Sequence, residues 1–172
     1  AKAGRGDDAA AWLGKMESSR IWPDVVSYAS VIDAYARAGK AKFAAYWFSM
    51  IEAACLKPNA IAYTSVIAAC GRTGHPGKAR TWLARMQAAR LEPTCASHNG
   101  VIDAYARAGK ASEAVESLRK MEADVVKPDA ASFTGAMAAC ARAGRAAEAT
   151  GLLSSMDAVC LRSNAAAYNS VL

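Results

Sequence analysis

The side chains that could carry out chemistry are few and scattered. The chain holds five cysteines and two histidines, and the one close pairing puts Cys95 three residues before His98, with His75 isolated. A protein nucleophile needs an adjacent base that a third group orients, and a structural zinc site needs four ligands. Neither set is present, and no CxxC pair suggests a zinc ribbon or a disulfide framework. No catalytic, metal or cofactor site is predicted. The recurrent polar chemistry is cationic instead: Arg37, Arg72, Arg107 and Arg142 stand 35 residues apart, with Lys2 one period earlier. Lys and Arg number 21 against 15 Asp and Glu, a net charge of +6 and a pI near 9.2. That balance permits a polyanionic partner without demanding one.

The elements that must hold these arginines follow from the same period. Pro23, Pro58, Pro93 and Pro128 are also 35 residues apart, and Ser163 takes the next place. Closing each unit one residue after its proline gives complete units at 25–59, 60–94, 95–129 and 130–164, flanked by a partial unit at 1–24 and the start of another at 165–172. The partial units predict a single solenoid domain cut from a longer one at both ends. Within a unit numbered 1 to 35, position 15 is always glycine (Gly4, Gly39, Gly74, Gly109, Gly144). It follows apolar residues at helical spacing, as in Tyr28, Val31, Ile32 and Tyr35, which predicts a first helix ended by a C-terminal glycine. A second helix follows, marked by Ala44, Ala79, Ala114 and Ala149 and then by bulky residues such as Trp82, Leu83 and Met86. Pro76 falls in its first turn, where a missing N–H costs little. A fixed period in the thirties predicts helical hairpins stacked so that each buries its apolar face on its neighbour. No apolar run approaches the length of a membrane span.

Units such as VVSYASVIDAYARAGKAKFAAYWFSMIEAACLKPN resemble pentatricopeptide repeats over essentially the whole chain. The resemblance rests on an aromatic or His near the unit's start, basic-x-Gly after the first helix, alanine at position 20 and a Lys-Pro-Asn/Asp ending. The tetratricopeptide repeat, with a period of about 34 and a Trp-x-x-Leu-Gly-x-x-Tyr order, fits poorly. The resemblance implies an all-α, right-handed superhelical solenoid that binds single-stranded RNA at one base per repeat. It implies work in RNA processing, stability or translation inside a chloroplast or mitochondrion.

Positions 5, 9 and 13 share one face of the first helix, which should line the groove. By resemblance, Arg37, Arg72, Arg107 and Arg142 contact phosphate, although a cation near a helix C-terminus is favourable by about 0.3–1 kcal/mol in any case. Asp33 and Asp103 stand one turn before Arg37 and Arg107 and can pair with them, whereas Ala68 and Ala138 leave Arg72 and Arg142 unpartnered. The latter two should be the stronger phosphate contacts. The resemblance makes positions 5 and 35 the base readers: Ala29 with Asn59, Thr64 with Thr94, Asn99 with Asp129, and Thr134 with Asn164. Asn with Asp implies uracil and Thr with Asn adenine, so the last two complete units should prefer U-A. The first two depart from the pattern, because Ala29 has no hydrogen-bonding group and the Thr64–Thr94 combination is unfamiliar. Position 2, which packs on the base, holds Val26 and Ile61 but only Ala96 and Ala131. Asn59 and Asp129, after proline, can alternatively serve as helix caps.

Phe43, Tyr46 and Met50 occupy second-helix positions that are polar in sister units, which suggests a protein-partner face or local packing. Two functions therefore stand: an RNA-binding adaptor, and a scaffold fixed in a larger organellar assembly. The recurrent arginines favour the first, and the incomplete code with the Phe43–Tyr46–Met50 stripe favours the second.

Overall fold

In a computed structural model, described at residues 4–159, 161 and 165–169, every regular element is a helix. The first elements are α1 (Gly4–Ser18), α2 (Val25–Arg37), α3 (Ala41–Ala53), α4 (Ala60–Arg72) and α5 (Pro76–Ala88). They continue as α6 (Cys95–Arg107), α7 (Ala111–Ala123), α8 (Ala130–Arg142), α9 (Ala146–Ala158) and α10 (Ala165–Asn169). The even-numbered helices pack on one another in a row, here the A row. The odd-numbered helices form the B row: α3, α5 and α7 each pack on the A helices either side, α1 on α2 and α9 on α8.

Local sequence dictates where each helix begins. Asp24, Asn59, Thr94 and Asp129 cap α2, α4, α6 and α8, each accepting a hydrogen bond from the backbone N–H three residues on. Such a cap satisfies a donor that the helix itself cannot. Each of these helices ends at a glycine with φ of 65–70°, at Gly39, Gly74, Gly109 and Gly144. The next amide then reaches back to the helix, as Lys40 N does to Tyr35 O at 3.0 Å. After α1, α3, α5 and α7 the chain turns the same way without glycine. Arg20, Cys55, Arg90 and Val125 hold φ of 55–59°, a left-handed conformation that the residue types do not advertise.

The core is the apolar stripe of the A helices closed by the B helices. Tyr28, Val31, Ile32 and Tyr35 are buried, as are their counterparts through Phe133, Met137 and Cys140. Small residues let the A helices approach closely, most of all between α4 and α6. There a Cβ added at Gly71 would lie 2.6 Å from the carbonyl oxygen of Gly100. At the N-terminal end, Tyr35 Oη donates to Asp7 at 2.8 Å and Lys40 reaches the same carboxylate at 3.1 Å, tying α1 to the first complete hairpin.

Gly71→Ala should destabilise the chain by about 1–3 kcal/mol, because the methyl meets backbone rather than a movable side chain. Gly77→Ala, with nothing within 4 Å of the added atom, should be neutral or stabilise by up to about 1 kcal/mol. Denaturant midpoints of the two variants check this, and equal midpoints would contradict it.

Candidate nucleic-acid interface

The face of the A row away from the core carries positions 9 and 13 of every complete hairpin and position 5 of the last three. Arg37, Arg72, Arg107 and Arg142 are all exposed at the C-terminal ends of their helices. Arg37 Nε donates to Asp33 at 2.6 Å, and Arg107 Nε to Asp103 at 3.0 Å. Among the described residues, Arg72 and Arg142 have no ion-pair partner. Arg72, Arg107 and Arg142, from three successive hairpins, line one depression of about 400 Å³ beside Thr73 and Gly74. Three guanidinium groups, of which only Arg107 is neutralised locally, leave that depression with a net positive charge.

The third hairpin brings its two candidate readers together. Asn99 Nδ2 donates to Asp129 Oδ1 at 3.0 Å. The buried Ser132 Oγ lies 2.6 Å from Asn99 Oδ1 and 3.0 Å from Asp129 Oδ1, so its single proton serves one of them at a time. Asp129 N donates to the same Ser132 oxygen at 3.1 Å, which completes a capping box. Burial pushes the Asp129 carboxyl upward. Hydrogen bonds from the Ser132 backbone, Asn99, Cys95 and the Ser132 side chain outweigh it and hold the group below its ordinary value. Asp129 is therefore an anionic acceptor at neutral pH. Sequence reasoning missed Ser132 and Cys95 as members of this network. A serine three residues after a capping Asp was the available signal.

The other candidate readers are arranged differently. Asn59 Oδ1 accepts from Ala62 N at 2.9 Å, and Thr94 Oγ1 from Ser97 N at 3.3 Å, so both act as helix caps. Among the described residues, no hydrogen bond joins Thr64 to Thr94. Thr134 Oγ1 donates to the Ala130 carbonyl at 2.6 Å. Asn164 lies outside the described residues. Ala29 is only 4% exposed, so in the first hairpin position 5 is a packing residue and presents nothing to a ligand. At position 2, Val26 and Ile61 are 58% and 62% exposed, and Ala96 and Ala131 are exposed as well.

A sequence model of the pentacotripeptide-repeat region of PRORP matches residues 41–171, most of the chain, and a single-repeat model matches residues 26–55. The chain belongs to the pentatricopeptide repeat family. Its fold is the all-α solenoid of that family. The pentatricopeptide repeat protein PPR10, solved in complex with an 18-nt psaJ RNA element, superposes with a TM-score of 0.82 at 26% identity over 98% of this chain. A structure of PPR10 from maize gives a TM-score of 0.77 at 29% identity. The chain spans about a quarter of PPR10, 25% and 24% in these two structures. The PPR domain of Arabidopsis thaliana protein-only RNase P 1, in complex with tRNA, gives 0.78 at 14% identity over 98% of this chain and 90% of that one. No curated protein sequence matches the chain significantly.

In this pentatricopeptide chain His98 stands where sister hairpins bury Tyr28, Tyr63 and Phe133, and it is itself 2% exposed. Its Nε2 makes no hydrogen bond, with the Asp124 carboxylate at 3.4 Å. Burial lowers its pKa; Asp124 opposes the shift and Lys120 adds to it. The protein-partner candidates divide: Phe43 and Tyr46 are 50% and 56% exposed, whereas Met50 is half-buried and packs on the core. Phe43 also stacks on Tyr35, at 5.3 Å between centroids. Among the described residues no helix is long and apolar enough to cross a membrane.

Because folded His98 resists protonation, stability should fall as pH drops below about 6.5, where the unfolded chain takes up a proton that the folded one refuses. His98→Phe, copying Phe133, should remove that share of the acid loss. Denaturation of both proteins at pH 7.5 and pH 5 measures it, and parallel losses would contradict it.

Proposed function

We propose that the chain binds single-stranded RNA along the exposed face of the A row. The observation that carries this reading is the convergence of Arg72, Arg107 and Arg142, one from each of three successive hairpins, on a single depression. Phosphates of an extended strand recur along a line, and so do these cations. A duplex would present its bases stacked and paired, whereas an unstacked base exposes its hydrogen-bonding edge to position 5 and to the residue 30 further on.

The third hairpin is the best equipped reader. Uracil's edge has one N–H between two carbonyl oxygens. The Asp129 carboxylate can accept from the N–H while the Asn99 amide donates to a carbonyl. Both groups already lie 3.0 Å apart, so little ordering remains to be done on binding. Thr134 with Asn164 supplies the adenine reading of the next hairpin. Asn59, Thr64 and Thr94 contribute weaker readout, and Val26, Ile61, Ala96 and Ala131 supply the surfaces on which bases rest. Family membership and the likeness to an RNA-bound relative support a role in transcript processing, stability or translation in a chloroplast or mitochondrion. A second reading, a scaffold held in an organellar assembly, is favoured by the exposed Phe43 and Tyr46.

With four phosphates neutralised, the affinity for a U-A-containing oligoribonucleotide should fall about fiftyfold for a fourfold rise in salt, a single-strand slope of roughly −3. Arg72→Gln or Arg142→Gln should weaken binding more than Arg37→Gln, because Arg37 is already paired with Asp33. A flat salt response would overturn the phosphate assignment. Asn99→Thr combined with Asp129→Asn should move the third hairpin's preference from U toward A in selection from an RNA library. An unchanged preference would overturn base reading by that hairpin.

A further inference from the structure

The repeat exposes a vacancy on the opposite side of the molecule, in the B row. Position 23 is tryptophan in the second helices of the first two complete hairpins, Trp47 and Trp82, but Ser117 in the third. In both tryptophan-bearing hairpins the indole packs at an angle against the aromatic ring at position 4. Trp47 lies 6.2 Å from Tyr28, and Trp82 lies 6.2 Å from Tyr63. Trp82 is further held edge-on by Phe48 at 4.6 Å, and the Arg85 guanidinium lies 4.4 Å from its ring. The third hairpin keeps the surroundings and lacks the ring. Leu83 stands in the place of Phe48, His98 in that of Tyr63 and Lys120 in that of Arg85.

These three residues and Ser117 line a cleft of about 930 Å³ between α5 and α7. Ser117 does not fill it, since its hydroxyl turns back to the Glu113 carbonyl at 2.7 Å. The fourth hairpin has Leu152 at the equivalent position, half-buried and packed on the core. The third hairpin alone among the four presents a small polar residue there.

We propose that this cleft receives a tryptophan side chain from a partner protein, seated where the first two hairpins place their own. The contacts such a ring needs are present: an apolar floor at Leu83 and Val101, the edge of the His98 imidazole, and a cation above it in Lys120. The cleft is several times larger than one indole ring, so the main chain that carries the ring fits beside it along the groove between the two helices. The cleft opens between two B helices and shares no lining residue with the arginine depression, so it stands independently of RNA binding.

The probe is N-acetyl-tryptophanamide, titrated into the intact chain and followed through the Ser117 and His98 amide resonances. Saturable binding is expected with a Kd on the order of 0.1–1 mM, the range for a ligand of this size. Ser117→Trp should weaken it at least about tenfold and raise the Tm. Should Ser117→Trp fail to fold, Ser117→Leu, copying Leu152, provides the same occlusion with a smaller side chain. Absence of saturable binding to the unaltered chain, or binding unchanged in the filled variant, would overturn the proposal. Indole alone binding as tightly as the blocked residue would overturn the polypeptide source.

Discussion

The close approach of successive A helices is the constraint on which the rest of the molecule depends. Each A helix puts small residues where its neighbour's backbone comes nearest, and at α4 and α6 the glycines leave no room for a single methyl. That seam fixes the step from one hairpin to the next. The step in turn fixes the interval between Arg72, Arg107 and Arg142 and brings them to one depression. A looser seam would keep every residue but lose the alignment. The B helices pack on the A row and meet each other through bridging side chains, as Phe48 meets Trp82. Where the bridge is absent, at Ser117, a cleft opens without disturbing the A row.

The residue that ends one repeat serves two purposes. Asn59, Thr94 and Asp129 each cap the following helix, so stability alone selects Asn, Asp or Thr there. In the proposed function the same chemistry would meet a base edge, and in the third hairpin the capping Asp129 lies beside Asn99 at position 5. In the third hairpin the arrangement is complete, with Asn99, Asp129 and Ser132 joined in one network. In the first it is not, because Ala29 is buried and has nothing to offer. Under the proposed function, what distinguishes one hairpin from the next is therefore position 5, since the cap at position 35 is kept for its own reasons.

Architecture was legible because it is written redundantly. The 35-residue period, the recurring glycine and the apolar stripe each imply the same hairpin, and Arg37–Asp33 and Arg107–Asp103 followed from a four-residue spacing. The left-handed turns at Arg20, Cys55, Arg90 and Val125 were not legible, since nothing in those residue types favours that conformation and tertiary packing enforces it. Nor was the half-burial of Met50, which the spacing placed beside Phe43 and Tyr46 but which turns toward the core. Ser132 escaped notice because its role depends on the 33 residues that separate it from Asn99 being folded back. Ser117 departs from the tryptophan that the first two complete hairpins hold at that position, but its consequence is set by the neighbouring helix that defines the cleft.

Amide chemical-shift mapping with a single-stranded oligoribonucleotide containing U-A tests the central claim most directly. Perturbations should concentrate at Arg72, Asn99, Arg107, Asp129, Thr134 and Arg142, with α5 and α7 unaffected and a duplex of the same sequence producing little change. Perturbations confined to the B row, or an equal response to the duplex, would contradict it.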